Sequence, residues 1–286
     1  MPQNIKPPDT KLQPIPKLRD FNLTLAKHEI ESYETIEIDF ENPRVLDRFS
    51  DQELAEVNQQ LEEAHPSDIL QWADDTFGDR AIQMSSFAVD GMAIFDMYWK
   101  VNPKARLATL DTMRLFEETY DLIDRIARRY NTEVEVHYPD IREVGRMIRQ
   151  HGMNLFYKGV NNRKLCCEIR KVNPLNQALS EADAWITGLR RDQGMKRSEI
   201  QIVEKDLAHD AYKINPVANW TAEQIRQYAL DNKVPYNILH DKGYPSIGCA
   251  PCTRAVKPGE DERSGRWWWE SDPDAKECGI HTVNAS

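Results

Sequence analysis

Residues 81–137 read AIQMSSFAVDGMAIFDMYWKVNPKARLATLDTMRLFEETYDLIDRIARRYNTEVEVH and alternate short apolar runs with longer ones. The short runs AIQM, ARLATL and EVEVH are strand-like, whereas GMAIFDMYWKV and RLFEETYDLIDRIARRY have helical length. The second long run is amphipathic, because one helical face carries Leu115, Thr119, Leu122, Ile123 and Ile126. This alternation predicts an α/β fold with a mainly parallel sheet flanked by helices.

Polar residues follow the first two predicted strands. In a parallel α/β sheet, ligands bind beyond the carboxyl ends of the strands. We therefore expect the Ser85-Ser86 loop and the Asp111-Thr112 pair to lie on one rim of the sheet. Two further strands are predicted over residues 184–187 (AWIT) and 199–204 (EIQIVE).

The N-terminal part of the chain is predicted to stand apart from this core. Residues 1–20 contain five prolines and scattered charge and are expected to form a flexible arm. Residues 21–65 are expected to form an N-terminal elaboration, with a strand-like run, ETIEIDF, and an acidic helix. Ser50 and Glu53 have the spacing of a capping box at the start of that helix.

The remaining residues divide into a domain and a tail. Residues 66–257 are predicted to form the α/β domain, with a helix that begins at Thr221 and has Gln224 as its capping partner. Residues 258–286 are rich in charge, tryptophan and glycine and are predicted to form a tail laid over the domain. Three consecutive tryptophans, residues 267–269, cannot all face one way, so we interpret them mainly as anchors of this tail.

The overall charge argues against one large class of function. The net charge is −10, whereas a general nucleic-acid binder needs a clustered basic face to neutralise phosphates.

No apolar run approaches the length of a membrane-spanning helix, and the polar N-terminus lacks the apolar stretch of a signal peptide. We therefore expect a cytoplasmic protein with no nucleic-acid and no membrane partner.

The five cysteines are too few for a disulfide scaffold. Cys166 and Cys167 are adjacent, Cys249 and Cys252 form a Cys-x-x-Cys pair, and Cys278 stands alone. Four thiolates suit either one tetrahedral zinc ion or an iron-sulfur cluster. The side chains of adjacent cysteines diverge, so they fit poorly around one tetrahedral ion and more easily bind two different irons of a cluster. This favours the cluster. A role as buried core thiols is a third alternative, which the polar surroundings of the pairs disfavour.

Four runs of this sequence resemble the assimilatory adenylyl sulfate reductases, which share a family with the phosphoadenylyl sulfate reductases. The runs are LCCEIRKVNPL, GYPSIGCAPCTRAV, RSGRWWWE and KECGIH, and the resemblance covers approximately residues 66–286. It implies an adenine nucleotide alpha-hydrolase-like (Rossmann-like) fold whose C-terminal tail carries the catalytic cysteine. It also implies a 4Fe-4S cluster with four cysteine ligands, Cys166, Cys167, Cys249 and Cys252.

The resemblance makes Cys278, in the motif ECGIH, the catalytic nucleophile. Its thiolate is expected to attack the sulfur of adenylyl sulfate and expel AMP, after which thioredoxin or a similar dithiol reductant releases sulfite. Because a thiolate then approaches an anionic sulfonyl group, the site needs fixed positive charge. By resemblance the phosphosulfate ligands are Lys171, Arg197, Arg263 and Arg266, and Arg190 and Arg191 are further candidates.

The resemblance also implies five nucleotide-binding residues, Ser85, Ser86, Asp111, Thr112 and Arg114. The phosphate loop departs from the family pattern Ser-Phe-Ser-Gly-Ala-Glu-Asp, because Phe87 replaces a serine and Ala88 a glycine. A bulky side chain here is expected to obstruct the close backbone approach that a phosphate needs. We therefore expect Phe87→Ser to tighten nucleotide binding.

Three alternatives stay open on the sequence. One is a reductase that prefers the 3′-phosphorylated nucleotide or accepts both nucleotides. Another is a non-catalytic iron-sulfur or redox-sensing protein, although such a protein would need neither Cys278 nor the basic residues. The third is a generic zinc-binding module. The oligomeric state, a homo-oligomer included, is not fixed by the sequence.

Overall fold

The computed structural model describes residues 45–194, 197–271 and 279–280, which hold a six-stranded sheet. Its strands are Ala81–Met84 (β1), Arg106–Leu110 (β2), Val134–His137 (β3), Ala184–Ile186 (β4), Val203–Asp206 (β5) and Ala211–Ile214 (β6). The strand order is β3-β2-β1-β4-β6-β5, and every neighbouring pair is parallel except β5 and β6. The predicted α/β fold with a mainly parallel sheet is therefore confirmed.

Helices connect and flank the strands. In the described residues they are Asp51–Leu61 (α1), Pro66–Phe77 (α2), Val89–Val101 (α3), Glu117–Tyr130 (α4), Ile141–His151 (α5), Val160–Cys167 (α6), Asn173–Leu179 (α7) and Ala222–Asp231 (α8). Both predicted capping boxes are present: Glu53 donates its backbone N–H to the Ser50 hydroxyl, and Gln224 donates its own to the Thr221 hydroxyl, each at 3.2 Å. These side chains satisfy N–H groups that a helix leaves without partners in its first turn.

The bounds predicted for the strand over residues 199–204 are wrong. β5 begins at Val203, because Ile200 and Ile202 are buried in an irregular connection that precedes the strand. β6 is not predicted at all, since all four of its residues are buried, Lys213 included, and the run shows no alternation of apolar and polar residues. The strand-like run ETIEIDF lies outside the described residues.

Apolar side chains cover both faces of the sheet. In β4, Ala184 and Ile186 join the core on one face, whereas Trp185 joins the core on the other. Such alternation is the geometry of a strand buried on both sides. Helix α7 covers the second face through Leu175 and Leu179. None of the helices in the described ranges is long and apolar enough to cross a bilayer.

The segment between α6 and α7 is a π-helical turn, Glu168–Val172, so residues 160–179 run as one helix with a widened middle. The backbone N–H of Asn173 accordingly bonds the Glu168 carbonyl, five residues back. Pro174 has no N–H to continue the regular α-helical ladder, which favours a local change of helix type here. The adjacent cysteines end α6, and Lys171 lies in the π turn.

Candidate active site

A cavity of about 240 Å³ opens at the carboxyl ends of β1, β2 and β4. Ser85 and Ser86 follow β1, Thr112 follows β2 and Gly188 follows β4, and all four residues line this cavity. Its volume approaches the lower end of the range of about 300–1,000 Å³ that is usual for small-molecule sites. The expectation that the two polar segments share one rim of the sheet is confirmed.

Part of the wall of this cavity is basic. The four residues assigned to the phosphosulfate group all contribute to its wall, namely Lys171, Arg197, Arg263 and Arg266. Arg190 also lines it and is buried, and its guanidinium pairs with the carboxylates of Asp90, Asp192 and Glu262. Arg191 instead pairs with Glu62 and is not part of the wall. The structure therefore separates the two further arginine candidates.

Arg266 is buried and held at the cavity by backbone pairing. Its segment runs antiparallel to the segment after Cys252: Trp267 donates its N–H to the Cys252 carbonyl at 3.1 Å, and Thr253 and Arg266 form an isolated bridge. The Arg266 guanidinium donates to the Ser246 hydroxyl at 3.3 Å. A Cβ on Gly248 would lie 2.4 Å from a guanidinium nitrogen of Arg266, so a side chain at this position would have to displace the guanidinium.

The phosphate loop has a different geometry from the one expected. Phe87 has a left-handed backbone, with φ of 58°, and its fully buried side chain packs in the core with Met92 and Phe95. The Ser85 hydroxyl accepts the Phe87 N–H at 3.0 Å and so stabilises this turn. Ala88 lines the cavity, whereas Phe87 does not. The expectation that Phe87 obstructs the loop is therefore wrong, because its backbone directs the ring away from the cavity.

The remaining nucleotide-binding candidates occupy different places. Asp111 is buried below the cavity wall, where its carboxylate accepts the Met113 N–H at 2.7 Å and the Tyr120 hydroxyl at 2.8 Å. Thr112 lines the cavity, and its hydroxyl oxygen lies 3.2 Å from the sulfur of Cys249. Arg114 lies outside the cavity wall, in a second pocket that holds the paired cysteines.

This second pocket, called here the cysteine pocket, is lined by Cys166, Cys167, Cys249 and Cys252. Four cations also line it, Arg114, Arg163, Arg170 and Lys171. Burial raises the pKa of the Cys252 thiol to about 12 and also raises the pKa of the Cys166 thiol. In the described part of the chain, no group of three or more His, Cys, Asp or Glu side chains is arranged to hold a metal ion.

The cavity and the cysteine pocket share a wall. Lys171 lines both, and the neighbouring Arg170 donates to the Thr112 carbonyl at 2.7 Å, which joins the π turn to the loop after β2. The backbone N–H of Ala250 donates to the Arg114 carbonyl at 2.8 Å and fixes the Cys-x-x-Cys segment on that same loop. Groups at either site therefore act on the other through one or two residues.

A buried ion pair docks the tail on the cysteine helix. Arg163 of α6 is fully buried and pairs with Glu270 through two bonds of 2.8 and 3.1 Å. The guanidinium carbons of Arg163 and Arg266 lie 4.6 and 4.7 Å from the ring centre of Trp267, which is 1% exposed. Trp268 is 49% exposed, so the interpretation of the tryptophans as anchors holds for Trp267 and not for Trp268.

Cys278 lies outside the described residues. The two residues that follow it in sequence are described. Gly279 has φ of +82°, and Ile280 lines the cavity and packs against the core beside α7.

Comparison with known proteins identifies the family. The family model of the phosphoadenosine phosphosulfate reductase domain matches residues 80–255, a span that includes β1, the π turn and all four paired cysteines. The chain belongs to this family. The resemblance noted in the sequence and the adenine nucleotide alpha-hydrolase-like fold that it implies are both confirmed.

Relatives in the family match most of the chain. An adenosine 5'-phosphosulfate reductase of Burkholderia cepacia is 46% identical over 203 residues, which is 71% of this chain and 81% of that protein. Another, of Halalkalibacterium halodurans, is 42% identical over 227 residues, 79% of this chain and 95% of that protein. The crystal structure of phosphoadenylyl-sulfate reductase from Candida auris, a phosphate complex, is 31% identical with a TM-score of 0.64 and covers 73% of this chain and 98% of that chain.

Several residues of this phosphoadenosine phosphosulfate reductase family member are missed by sequence reasoning. Arg163 and Arg170 reach the cysteine pocket, and Glu270 pairs with Arg163 across 107 positions of sequence. His240 accepts the Val89 N–H at the start of α3 at 3.0 Å, next to the phosphate loop. The only local signal is proximity: Arg163 and Arg170 flank the cysteine pair at helical spacing, whereas nothing near Glu270 or His240 indicates a partner.

Proposed function

We propose that this chain reduces adenylyl sulfate to sulfite and AMP through an S-sulfonate on Cys278. The observation that carries the proposal is one shared wall: a cavity with five basic residues and a phosphate loop lies against a pocket lined by four cysteines. Relatives 42–46% identical that carry the name adenosine 5'-phosphosulfate reductase support this assignment. The family model and these relatives together support sulfonucleotide reduction in sulfate assimilation.

The charge in the cavity suits this substrate. Among the described lining residues, the basic ones are Lys171, Arg190, Arg197, Arg263 and Arg266, and the acidic ones are Asp90 and Glu262. Basic residues therefore outnumber acidic ones in the described wall by five to two. Adenylyl sulfate carries about two negative charges, and a 3′-phosphate would add about 1.5 to 2 more. The wall therefore favours an anionic sulfonucleotide, and the 3′-phosphorylated form would require further cations to balance its additional charge.

In the first step the Cys278 thiolate attacks the sulfur of adenylyl sulfate. A sulfur–sulfur bond forms as the bond from sulfur to the bridging oxygen breaks, and AMP leaves with that electron pair. In the transition state, negative charge concentrates on the sulfonyl and bridging oxygens. The basic residues of the cavity wall therefore stabilise the transition state more than the ground state. Arg266 is the best placed of the basic residues for this role, because it is buried and its position is fixed by Gly248 and Ser246.

In the second step a dithiol protein of the thioredoxin class reduces the adduct. One of its thiolates attacks the Cys278 sulfur and expels sulfite, and its second thiol then displaces Cys278 to form a disulfide. The dithiol thus loses two electrons, and the sulfur of the substrate gains them. No metal has to carry electrons in this sequence.

We infer that the cysteine pocket holds a 4Fe-4S cluster on Cys166, Cys167, Cys249 and Cys252. Four thiolates around such a cluster leave a net charge of about −2 in its usual oxidised state, and a buried dianion requires neighbouring cations. The four cations of the pocket meet that requirement. When bound, the cluster supplies negative charge and rigidity next to Lys171. Because burial raises the pKa of the Cys166 and Cys252 thiols, these two ligands must release protons when the metal binds.

The test is a comparison of single-turnover and steady-state reactions of anaerobically purified protein. We expect close to four irons per chain and, without reductant, a sulfonate adduct that peptide mass spectrometry places on Cys278. Cys278→Ser should retain the iron and release no sulfite, whereas Cys252→Ser should lose iron. Stoichiometric zinc without iron would contradict the cluster, and an adduct on another cysteine would contradict the nucleophile.

The alternative substrate is the 3′-phosphorylated nucleotide, which the name of the Candida auris relative indicates for that protein. We expect at least about a tenfold higher kcat/KM for adenylyl sulfate, equivalent to ~1.4 kcal/mol. Equal or reversed kcat/KM values would contradict this preference. An iron-loaded protein that turns over neither nucleotide would favour the non-catalytic iron-sulfur interpretation.

A further inference from the structure

Part of the cavity wall is apolar. Met84 and Leu110, from the ends of β1 and β2, and Leu175, from α7, line it together with Trp185. Ile280 completes this wall: it is half-buried and packs against the same core cluster as Leu175 and Trp185. The Ile280 side chain thus packs against an apolar cluster formed by the sheet and α7.

Gly279, the residue before Ile280, lies beside the π turn. A Cβ on Gly279 would lie 3.7 Å from the Cγ2 atom of Val172, which is ordinary van der Waals contact. Gly279 itself has φ of +82°, a left-handed conformation that favours glycine. Val172 is the neighbour of Lys171 in sequence, and Leu175 lies one helical turn beyond Lys171. Gly279 and Ile280 therefore lie beside the helix that carries Lys171, one of the basic residues of the cavity wall.

We propose that Ile280 is an apolar anchor that docks the C-terminal segment at the cavity and thereby positions Cys278 near the basic residues of its wall. In this proposal Ile280 is a positioning residue, because it acts through Cys278 and takes no part in the chemistry. The inference rests on the proposed function, since it assigns a role to Ile280 in the reaction of Cys278.

Covalent geometry limits how far the nucleophile can lie from this anchor. Two residues of extended chain span about 7 Å at most, so a docked Ile280 keeps Cys278 within reach of the cavity. Holding a nucleophile close to its target raises the rate, because the entropy of bringing the groups together is lost before the reaction begins. A single half-buried side chain provides modest binding energy, which suits a segment that has to leave the cavity again for the reductant.

The proposal predicts a defect in the chemical step that is specific to Ile280. Ile280→Ala should slow formation of the Cys278 adduct about tenfold at saturating adenylyl sulfate, because less of the tail is docked at any moment. Ile280→Leu keeps an apolar side chain of equal size and should restore most of the rate. Ile141→Ala is the matched control: Ile141 is 65% exposed at the start of α5, outside the cavity, and its substitution should leave the rate unchanged.

The assay is single-turnover mixing of the iron-loaded full chain with adenylyl sulfate without reductant, with the adduct quantified by mass spectrometry. Binding of AMP is measured on the same variants, because it does not require Cys278. We expect Ile280→Ala to lower the adduct rate much more than the affinity for AMP. Iron content and the denaturation midpoint should match those of the unsubstituted protein, which shows that the variant is folded.

Two results would contradict the proposed role of Ile280, and a third would contradict the proposed function as well. An adduct that forms at the same rate in Ile280→Ala removes the positioning role. Tighter AMP binding in that variant, with an unchanged or faster adduct rate, would make Ile280 a plug that competes with the nucleotide. Absence of any Cys278 adduct in the unsubstituted protein would overturn the proposed function itself, and the anchor with it.

Discussion

Removing the negative charge of Glu270 should destabilise the protein and loosen the cysteine helix. Arg163 is fully buried, the Glu270 side chain is 4% exposed, and two bonds of 2.8 and 3.1 Å join them. Glu270→Gln preserves size but removes the carboxylate that pairs with the buried Arg163 guanidinium. Loss of one partner of a buried ion pair costs about 3–5 kcal/mol, and the amide oxygen retained by Gln should place this variant near 3 kcal/mol.

A matched substitution separates this effect from the general consequence of losing a carboxylate. Glu118 pairs with Lys242 at 3.1 Å, but their side chains are 29% and 54% exposed. Exposed ion pairs contribute about 0–1 kcal/mol, so Glu118→Gln should change the free energy of unfolding by less than about 1 kcal/mol. The comparison holds the chemical change constant and varies only burial.

The assay is anaerobic denaturant unfolding followed by circular dichroism, with iron content measured on the same samples. Because α6 carries both Arg163 and the adjacent cysteines, Glu270→Gln should also lower iron retention during gel filtration. A loss of stability below about 1 kcal/mol, equal to that of Glu118→Gln, would refute the reasoning. It would mean that the buried guanidinium finds compensation elsewhere and that the ion pair does not secure the tail.

Three further predictions concern the phosphate loop, the Arg266 guanidinium and His240. Phe87→Ser should lower the free energy of unfolding by about 3–5 kcal/mol, because a fully buried ring leaves a cavity, and calorimetric titration should detect no tighter nucleotide binding. Gly248→Ala should reduce kcat/KM by at least about tenfold while iron content is unchanged, since the new Cβ would displace the Arg266 guanidinium; wild-type kinetics would contradict this. Burial lowers the pKa of His240 from 6.5 to about 4, so the stability that its neutral ring provides is complete above pH 6.5 and is lost as pH falls toward 4, by about 3 kcal/mol in total. His240→Gln should remove that part of the pH dependence of urea unfolding and keep an acceptor for the Val89 N–H.

The fold was predictable wherever local periodicity and tertiary burial agree. The run from β1 to β3 alternates strand and helix signals, and the buried positions of α4, including Leu122 and Ile126, fall on the predicted face. β6 escaped prediction because burial on both faces erases alternation, and a buried lysine, Lys213, imitates a solvent-facing position. Periodicity reports one-sided burial, and so it fails for a short strand in the middle of a sheet.

The site was predictable in composition but not in arrangement. The basic residues Lys171, Arg263 and Arg266 were found because their motifs resemble those of the family, and the cavity brings them together. The direction of the Phe87 side chain was not predictable, because it depends on a left-handed φ of 58° that a non-glycine residue rarely adopts. Sequence shows which residue stands in a loop, whereas the backbone conformation decides whether its side chain faces ligand or core.

One helix unites the parts of the proposed reaction. Cys167, Lys171 and Leu175 are spaced four residues apart along residues 160–179. Cys167 lines the cysteine pocket, Lys171 lines both the pocket and the cavity, and Leu175 lines the apolar part of the cavity wall. Residues four apart lie on one side of an α-helix but drift round it with each turn, and the widened π turn falls within this series. Because one rigid element holds all three, a shift of the cysteines also shifts the lysine and the surface on which Ile280 docks. Cofactor binding in the cysteine pocket would therefore order the substrate cavity even if the metal exchanges no electrons.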